Sequence, residues 1–332
     1  MLEHGGALGA AAARYGVPLS DWLDLSTGII PNGWLPPPVP PPIWRRLPEP
    51  DDGLEQAAAA YYGTAEVLPV AGSQAAIQAL PLLRAAGRVG VVSPTYAEHA
   101  HAWRRAGHRV KGLDIGQLAA LPDRLDVLVL VNPNNPTGAR FPVDWLLDWR
   151  KRLAERNGWL VVDEAFADAT PAASLAGHAG LPGLIVLRSL GKFFGLAGAR
   201  VGFVLAAIAL REPLRERLGP WTVSGPSRWV AAQALLDRAW QARACLELSA
   251  AGQRLKRLLE RQGFVVAGGT ALFQWVPAND AEFWHEALAR CGILVRRFRE
   301  PEGLRFGLPG TEADWLRLEK ALVDIRAERS SG

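Results

Sequence analysis

Arg188-Ser189-Leu190-Gly191-Lys192-Phe193-Phe194-Gly195-Leu196-Ala197-Gly198-Ala199-Arg200-Val201-Gly202 is the stretch that decides the fold. The residues before it, Leu184-Ile185-Val186-Leu187, are a short apolar run, so the stretch reads as the loop leaving the C-terminal end of a strand. A lone loop lysine is most often an ordinary surface residue. Here Lys192 sits among serine, glycine and aromatic residues, with Arg200 further along the same loop. Such a lysine suits covalent attachment of a phosphate-bearing cofactor. Its amine must be neutral to attack a carbonyl, and apolar surroundings with a nearby cation favour the neutral form. Ser189 and Arg200 would hold the phosphate.

Working outward, the other predicted strands end in suggestive loops as well. Val127-Leu128-Val129-Leu130-Val131 is the clearest strand, a continuous apolar run fit for a parallel sheet buried on both faces, and it leads into Asn132-Pro133-Asn134-Asn135-Pro136-Thr137-Gly138. A strand over 159–162 ends in Asp163-Glu164-Ala165-Phe166, which sets a carboxylate at a strand tip, where open α/β sheets bind ligands. Val67-Leu68-Pro69-Val70 runs into Ala71-Gly72-Ser73-Gln74 and then a helix to 83, an arrangement that offers N–H groups to an anion. A strand over 89–92 ends in Ser93-Pro94-Thr95-Tyr96, where the Tyr96 ring could lie flat on a planar cofactor, although on these residues alone an ordinary core tyrosine is the better reading.

The rest of the chain divides around this region. Residues 1–42 read as an N-terminal segment with a proline-rich connector, 43–210 as a large domain, and 211–332 as a smaller one. The first segment opens His4-Gly5-Gly6 before an alanine-rich helix and contains Asp24-Leu25-Ser26-Thr27-Gly28. The last has long helical patterns over 227–240 and 243–262, then short strands at 264–266, 273–276, 293–296 and 304–306 and a final helix over 312–326. The predicted class is α/β, a mainly parallel sheet between helices plus a smaller α+β domain.

Composition excludes several classes. A net charge of +4 on 332 residues is too mild for a nucleic-acid partner, and only five of the 37 basic residues are lysine. The two cysteines match no metal spacing, so no metal is expected. No apolar run is long enough to span a bilayer, and the N-terminus lacks a basic leader pattern, so a cytoplasmic protein is the expectation.

Asn-Pro-Asn-Asn-Pro-Thr-Gly at 132–138, Asp-Glu-Ala-Phe at 163–166, and Ser-Leu-Gly-Lys at 189–192 with Arg200 together resemble the fold-type I pyridoxal-phosphate enzymes, the aspartate aminotransferase superfamily. The resemblance implies that Lys192 carries the cofactor, Asp163 faces its ring nitrogen, Asn135 its 3-oxygen and Tyr96 its ring face. Ser73, Gln74, Ser189 and Arg200 would take its phosphate. Within the superfamily the chain is most similar to the threonine-phosphate decarboxylases of cobalamin synthesis, through His4-Gly5-Gly6, Asp24 to Gly28, Phe166, and Ile293 to Arg296 followed by Leu304-Arg305. A phosphorylated amino acid would then be the substrate. Arg305 would clamp its carboxylate, with His4, Gly5 and Arg296 toward its phosphate and Arg297 a rival to Arg296. The histidinol-phosphate aminotransferases are the alternative, and both groups imply a homodimer. Three departures from the pattern stand out: Ile30 before Pro31, Leu47 before Pro48, and Gly191 before the lysine.

Overall fold

The computed structural model describes residues 4–114 and 124–331. The chain forms two compact units, one of residues 33–135 and 139–245, the other of 1–32, 136–138 and 246–332.

The larger unit is built on seven strands: β2 (Val67–Val70), β3 (Arg88–Val92), β4 (Arg109–Leu113), β5 (Val127–Val131), β6 (Trp159–Asp163), β7 (Leu184–Ser189) and β8 (Gly202–Ala206). Their order is β2-β8-β7-β6-β5-β3-β4, parallel except that β8 runs against both of its neighbours. All five residues of β5 and of β6 are buried, as a sheet covered on both faces requires. Around it lie α2 (Pro41–Arg45), α3 (Leu54–Tyr62), α4 (Ser73–Ala79), α5 (Ala97–Arg105), α6 (Val143–Ala154), α7 (Ile208–Leu218), α8 (Gly225–Leu236) and the start of α9 (Arg238–Arg261). One core cluster joins Ile77, Trp103, Val129, Val161, Ile185 and Leu214. Trp103 is the largest of these, and cutting a buried tryptophan back to alanine costs about 3–5 kcal/mol.

The smaller unit holds a five-stranded sheet. Strands β1 (Leu23–Leu25), β9 (Gly268–Thr270), β10 (Phe273–Pro277), β11 (Ile293–Arg299) and β12 (Glu302–Gly307) lie in the order β1-β11-β12-β10-β9, with β1 parallel to β11 and the other pairs antiparallel. The helices α1 (Leu8–Tyr15), α10 (Ala281–Arg290) and α11 (Glu312–Ser331) accompany it. Ala11, Trp22, Ala289 and Leu294 pack α1 and the residue before β1 against α10 and β11.

The two compact units break at other positions than the expected boundaries at 42/43 and 210/211. Composition does change at Arg211, yet that side chain is buried and donates to the Ala206 and Val67 carbonyls, and Leu214 joins the large core. The proline connector is held in the larger unit too: the Trp34 N–H donates to the Phe194 carbonyl and its indole to Asp237. The strand expected at 264–266 does not form. Val265 is exposed, and the edge strand forms four residues later at Gly268–Thr270, where backbone pairing acts without β-branched support until Thr270.

Candidate active site

In the larger unit the predicted site residues lie at the C-terminal ends of the strands, in the loops after β2, β3, β5, β6 and β7. Asp163 is the last residue of β6 and is buried. Its Oδ2 lies 2.9 Å from His99 Nε2, and its Oδ1 accepts from the Ala165 N–H at 3.0 Å. The carboxylate is thereby fixed in rotation, with both partners drawn from its own unit. His99 stands one helical turn after Tyr96 at the start of α5, and the two rings meet edge to face at 6.0 Å. Tyr96 donates from its hydroxyl to Gln74 Oε1 at 3.2 Å, and Gln74 in turn donates to Glu98 at 2.9 Å. Burial, with the nearby carboxylates of Glu98 and Asp163, pushes the Tyr96 hydroxyl up to about 12. It stays a neutral donor at physiological pH.

Lys192 is half-buried, its Nζ 5.5 Å from the centre of the Phe166 ring. The loop that carries it is fixed from below. Leu190 N–H donates to the Val201 carbonyl, Leu196 N–H to the Leu190 carbonyl, and Gly191 N–H to Ser189 Oγ. Phe193 and Phe194 are buried against Trp240, at 5.4 and 5.5 Å. The lysine's two aromatic neighbours are therefore core anchors. In the asparagine loop, Asn132 brackets the Phe141 backbone, and Asn134 accepts from Thr95 and donates to the Pro94 carbonyl. These two asparagines shape the loop, and Asn135 is the half-buried one that follows them.

The turn after β2 converges with Arg200. Gly72 has φ +71° and ψ 159°, a region open only to glycine, and a Cβ there would stand 2.7 Å from Arg200 Nη2. Arg200 is itself left-handed (φ 54°, ψ 49°), which turns its exposed side chain back toward that loop. Ser73 is the first residue of α4 and Ser189 the last of β7.

The smaller unit gathers the residues expected to meet substrate. Arg305 on β12 is buried, donates to the Ser26 carbonyl at 2.5 Å and lies 5.0 Å over the Phe273 ring. Arg296 faces it across the β11–β12 ladder. Burial first, and then the Arg296 charge, lower the Arg305 pKa to about 9, against a smaller upward pull from Asp24. Arg297, the rival, lines the same cavity as Arg296 and is paired there with Glu282, its Nη1 2.7 Å and its Nη2 3.1 Å from that carboxylate. Gly5 packs so closely that a Cβ would meet the Ser26 carbonyl oxygen at 2.5 Å, and the Gly6 N–H donates to Ser26 Oγ. His4 and Gly5 share with Ser26, His285 and Arg296 the lining of a cavity of about 470 Å³.

Sequence reasoning did not single out His99, and it quoted Asp24 and Ser26 within the 24–28 segment without giving either a role of its own. His99 carried one signal, its spacing of three from Tyr96 on the first turn of a helix, which places both on one face. Ser26 accepts from Arg305 and Gly6 while donating from Oγ to Asp24, so it links the N-terminal segment to the arginine strand. Among the described residues no group of three or more His, Cys, Asp or Glu gathers as a metal site.

Residues 44–322 match the family model described as aminotransferase class I and II. A threonine-phosphate decarboxylase from Pseudomonas aeruginosa is 58% identical, with 98% of each chain covered. One from a Sinorhizobium species is 43% identical over 97% of this chain and 98% of that one. Among solved structures, a histidinol-phosphate aminotransferase from Sinorhizobium meliloti in complex with pyridoxal-5'-phosphate superposes with a TM-score of 0.81 at 21% identity, covering 100% of this chain and 96% of that one. The chain belongs to the aminotransferase class I and II family, in the threonine-phosphate decarboxylase group.

Proposed function

We propose that this protein decarboxylates O-phospho-L-threonine with pyridoxal phosphate as cofactor, releasing CO2 and leaving (R)-1-amino-2-propanol O-2-phosphate for the linker of the cobalamin nucleotide loop. The observation that carries the reading is likeness over nearly the whole chain to two threonine-phosphate decarboxylases, at 58% and 43% identity, against 32% over 75% of this chain for a histidinol-phosphate aminotransferase.

The residues present fit the cofactor. A loop amine, a buried strand-tip carboxylate, and an anion cradle that only glycine at position 72 leaves open suit a molecule with an aldehyde, a ring nitrogen and a phosphate. When bound, it supplies an electron-accepting ring that takes up the charge left at Cα as CO2 departs. Lys192 would hold it covalently, then return a proton to the substrate's Cα. Asp163, oriented by His99, would keep a proton on the ring nitrogen. Asn135 would donate to the 3-oxygen and Tyr96 would cover one ring face. Ser73, Gln74, Ser189 and Arg200 would bind the phosphate.

Arg305 would grip the substrate carboxylate through its planar fork, and Arg296 with His4 and Gly5 would bind the substrate phosphate. Arg297, which lines the same cavity and pairs with Glu282, is the rival for that role. Phosphate binding remote from the reacting bond would supply energy to orient that bond for cleavage.

A cytoplasmic homodimer completes the reading. Exposed Leu35, Trp44 and Leu47, on the connector and short helix of the larger unit, support a surface covered by a second copy. Among the described residues no helix is long and apolar enough to cross a membrane. The test is an assay of CO2 release from phosphothreonine beside 2-oxoglutarate-dependent amino transfer from histidinol phosphate. Release without transfer is expected; transfer without release would overturn the proposal.

A further inference from the structure

We propose that Arg188, through Glu164 and Asp168, is a positioning residue that holds the Asp163 tip and the Ser189–Lys192 loop in fixed relation. The inference rests on the cofactor assignment above. Arg188 precedes Ser189 on β7, and Glu164 follows Asp163 at the end of β6. The parallel ladder pairs Asp163 with Leu187, and the Glu164 N–H donates to the Leu187 carbonyl at 2.8 Å. One step further the strands part into separate loops, so the ladder no longer fixes their spacing. That is where the side chains take over. Arg188 Nη1 is 2.6 Å from Glu164 Oε2, and its Nη2 is 2.5 Å from Asp168 Oδ1.

Strand alternation puts this clamp on the face opposite Asp163 and Ser189, so it can brace both without occupying the site. The clamp is itself held. Glu164 also accepts from Ser174 Oγ and from the Leu175 N–H, and Asp168 accepts from the Tyr61 hydroxyl at 3.0 Å. The Arg188, Glu164 and Asp168 side chains are at most 2% exposed. A guanidinium buried between two carboxylates is a poor way to fill a core, since well-packed apolar residues stabilise as much or more. What it adds is direction: a planar fork spanning two chain segments.

The test titrates apo protein with pyridoxal phosphate, following the lysine-dependent absorbance and its pH midpoint, for wild type, Arg188→Met, Arg188→Lys, Glu164→Gln and Ser174→Ala. Leu214→Ala, in the core away from these loops, controls for plain destabilisation. The proposal expects Arg188→Met and Glu164→Gln to weaken cofactor affinity by about 10–100-fold, as loss of supporting partners does elsewhere, and to move the midpoint. Arg188→Lys should recover part of the loss, and Leu214→Ala should leave both readouts unchanged. If the Arg188 and Glu164 variants do not fold, Ser174→Ala decides by a smaller shift in the same direction. Wild-type affinity and midpoint in the folded variants, or an equal shift in Leu214→Ala, would overturn it, as would failure of the wild type to bind the cofactor. No substrate is used, so a chain that binds pyridoxal phosphate yet releases no CO2 defeats the proposed function and leaves this inference standing.

Discussion

His99 Nε2 and Asp163 Oδ2 stand 2.9 Å apart with both side chains buried, although 64 positions separate them in the chain. A carboxylate bonded on one oxygen by an imidazole and on the other by the Ala165 N–H has one orientation to present. His99→Ala removes one of those bonds, and a hydrogen bond to a charged group is worth about 1.5–3 kcal/mol. We expect kcat for phosphothreonine to fall roughly tenfold to a hundredfold while KM changes little, because the loss acts on orientation and charge at the reacting centre. Asp163→Ala should cost at least as much, about 10²–10³-fold, as when a preorganised electrostatic partner is deleted. Steady-state rates check both. A His99→Ala enzyme with wild-type kcat would refute the orienting role.

Gly72 offers a test of the cradle. An alanine there must adopt a backbone region that costs on the order of 1–3 kcal/mol for a residue with a Cβ. It must also displace Arg200 Nη2, which would lie 2.7 Å from the new methyl group. Gly72→Ala should therefore lower the melting temperature and weaken pyridoxal phosphate binding together. Arg200→Ala should weaken binding alone. Thermal unfolding of apo protein and a cofactor titration separate the two effects.

The larger unit was readable because its strands are short apolar runs such as Val127–Val131 followed by loops dense in Asn, Pro, Gly and Ser, and local patterning encodes both features. The partners that complete the site were not readable. His99 finds Asp163, and Arg305 finds Ser26 across 279 positions, only through tertiary packing, which no local pattern records. The same limit hides the parallel pairing of β1 with β11, which nothing local in residues 23–25 records. At 264–266 local propensity did mislead: Phe264 is buried against Trp284, so an apolar run there serves packing without a strand. Expected boundaries failed to match the compact units for a related reason. Composition changes at Arg211, but the buried bonds of that arginine tie it back to β8 and β2.

His285 makes an acid-side prediction. Burial, with Arg297, Arg14 and Arg296 nearby, lowers its pKa below the usual 6.5 against the opposing pull of Glu286. The unfolded chain then binds this proton first as pH falls below 6.5, so the folded state loses stability as pH drops through the folded value. His285→Gln cannot titrate. Its melting temperature should fall less steeply than that of wild type between pH 6.5 and about 5, and parallel curves would remove His285 from the account.

Arg296 and Arg305 pair across β11 and β12, and their like charges make the sharpest prediction. A base whose folded pKa is lowered carries a cost in the folded protein that persists below that value and is relieved only as pH rises through about 9. At neutral pH the cost is fully present, and a dianion placed near Arg296 would offset it. Arg296→Gln removes the repulsion and the anion contact together. Without ligand, the variant should melt higher than wild type. With inorganic phosphate it should gain less, since binding to the folded state alone is what raises the transition. KM for phosphothreonine should rise about tenfold or more, the loss of one charge-assisted hydrogen bond. Arg305→Ala should differ in kind. It leaves the buried Ser26 carbonyl without its donor, so stability falls, and an unclamped carboxylate lowers kcat as well as affinity. Melting curves with and without phosphate, beside initial rates, distinguish the two arginines. A ligand-free Arg296→Gln protein that melts lower than wild type and keeps its KM would place the substrate phosphate elsewhere.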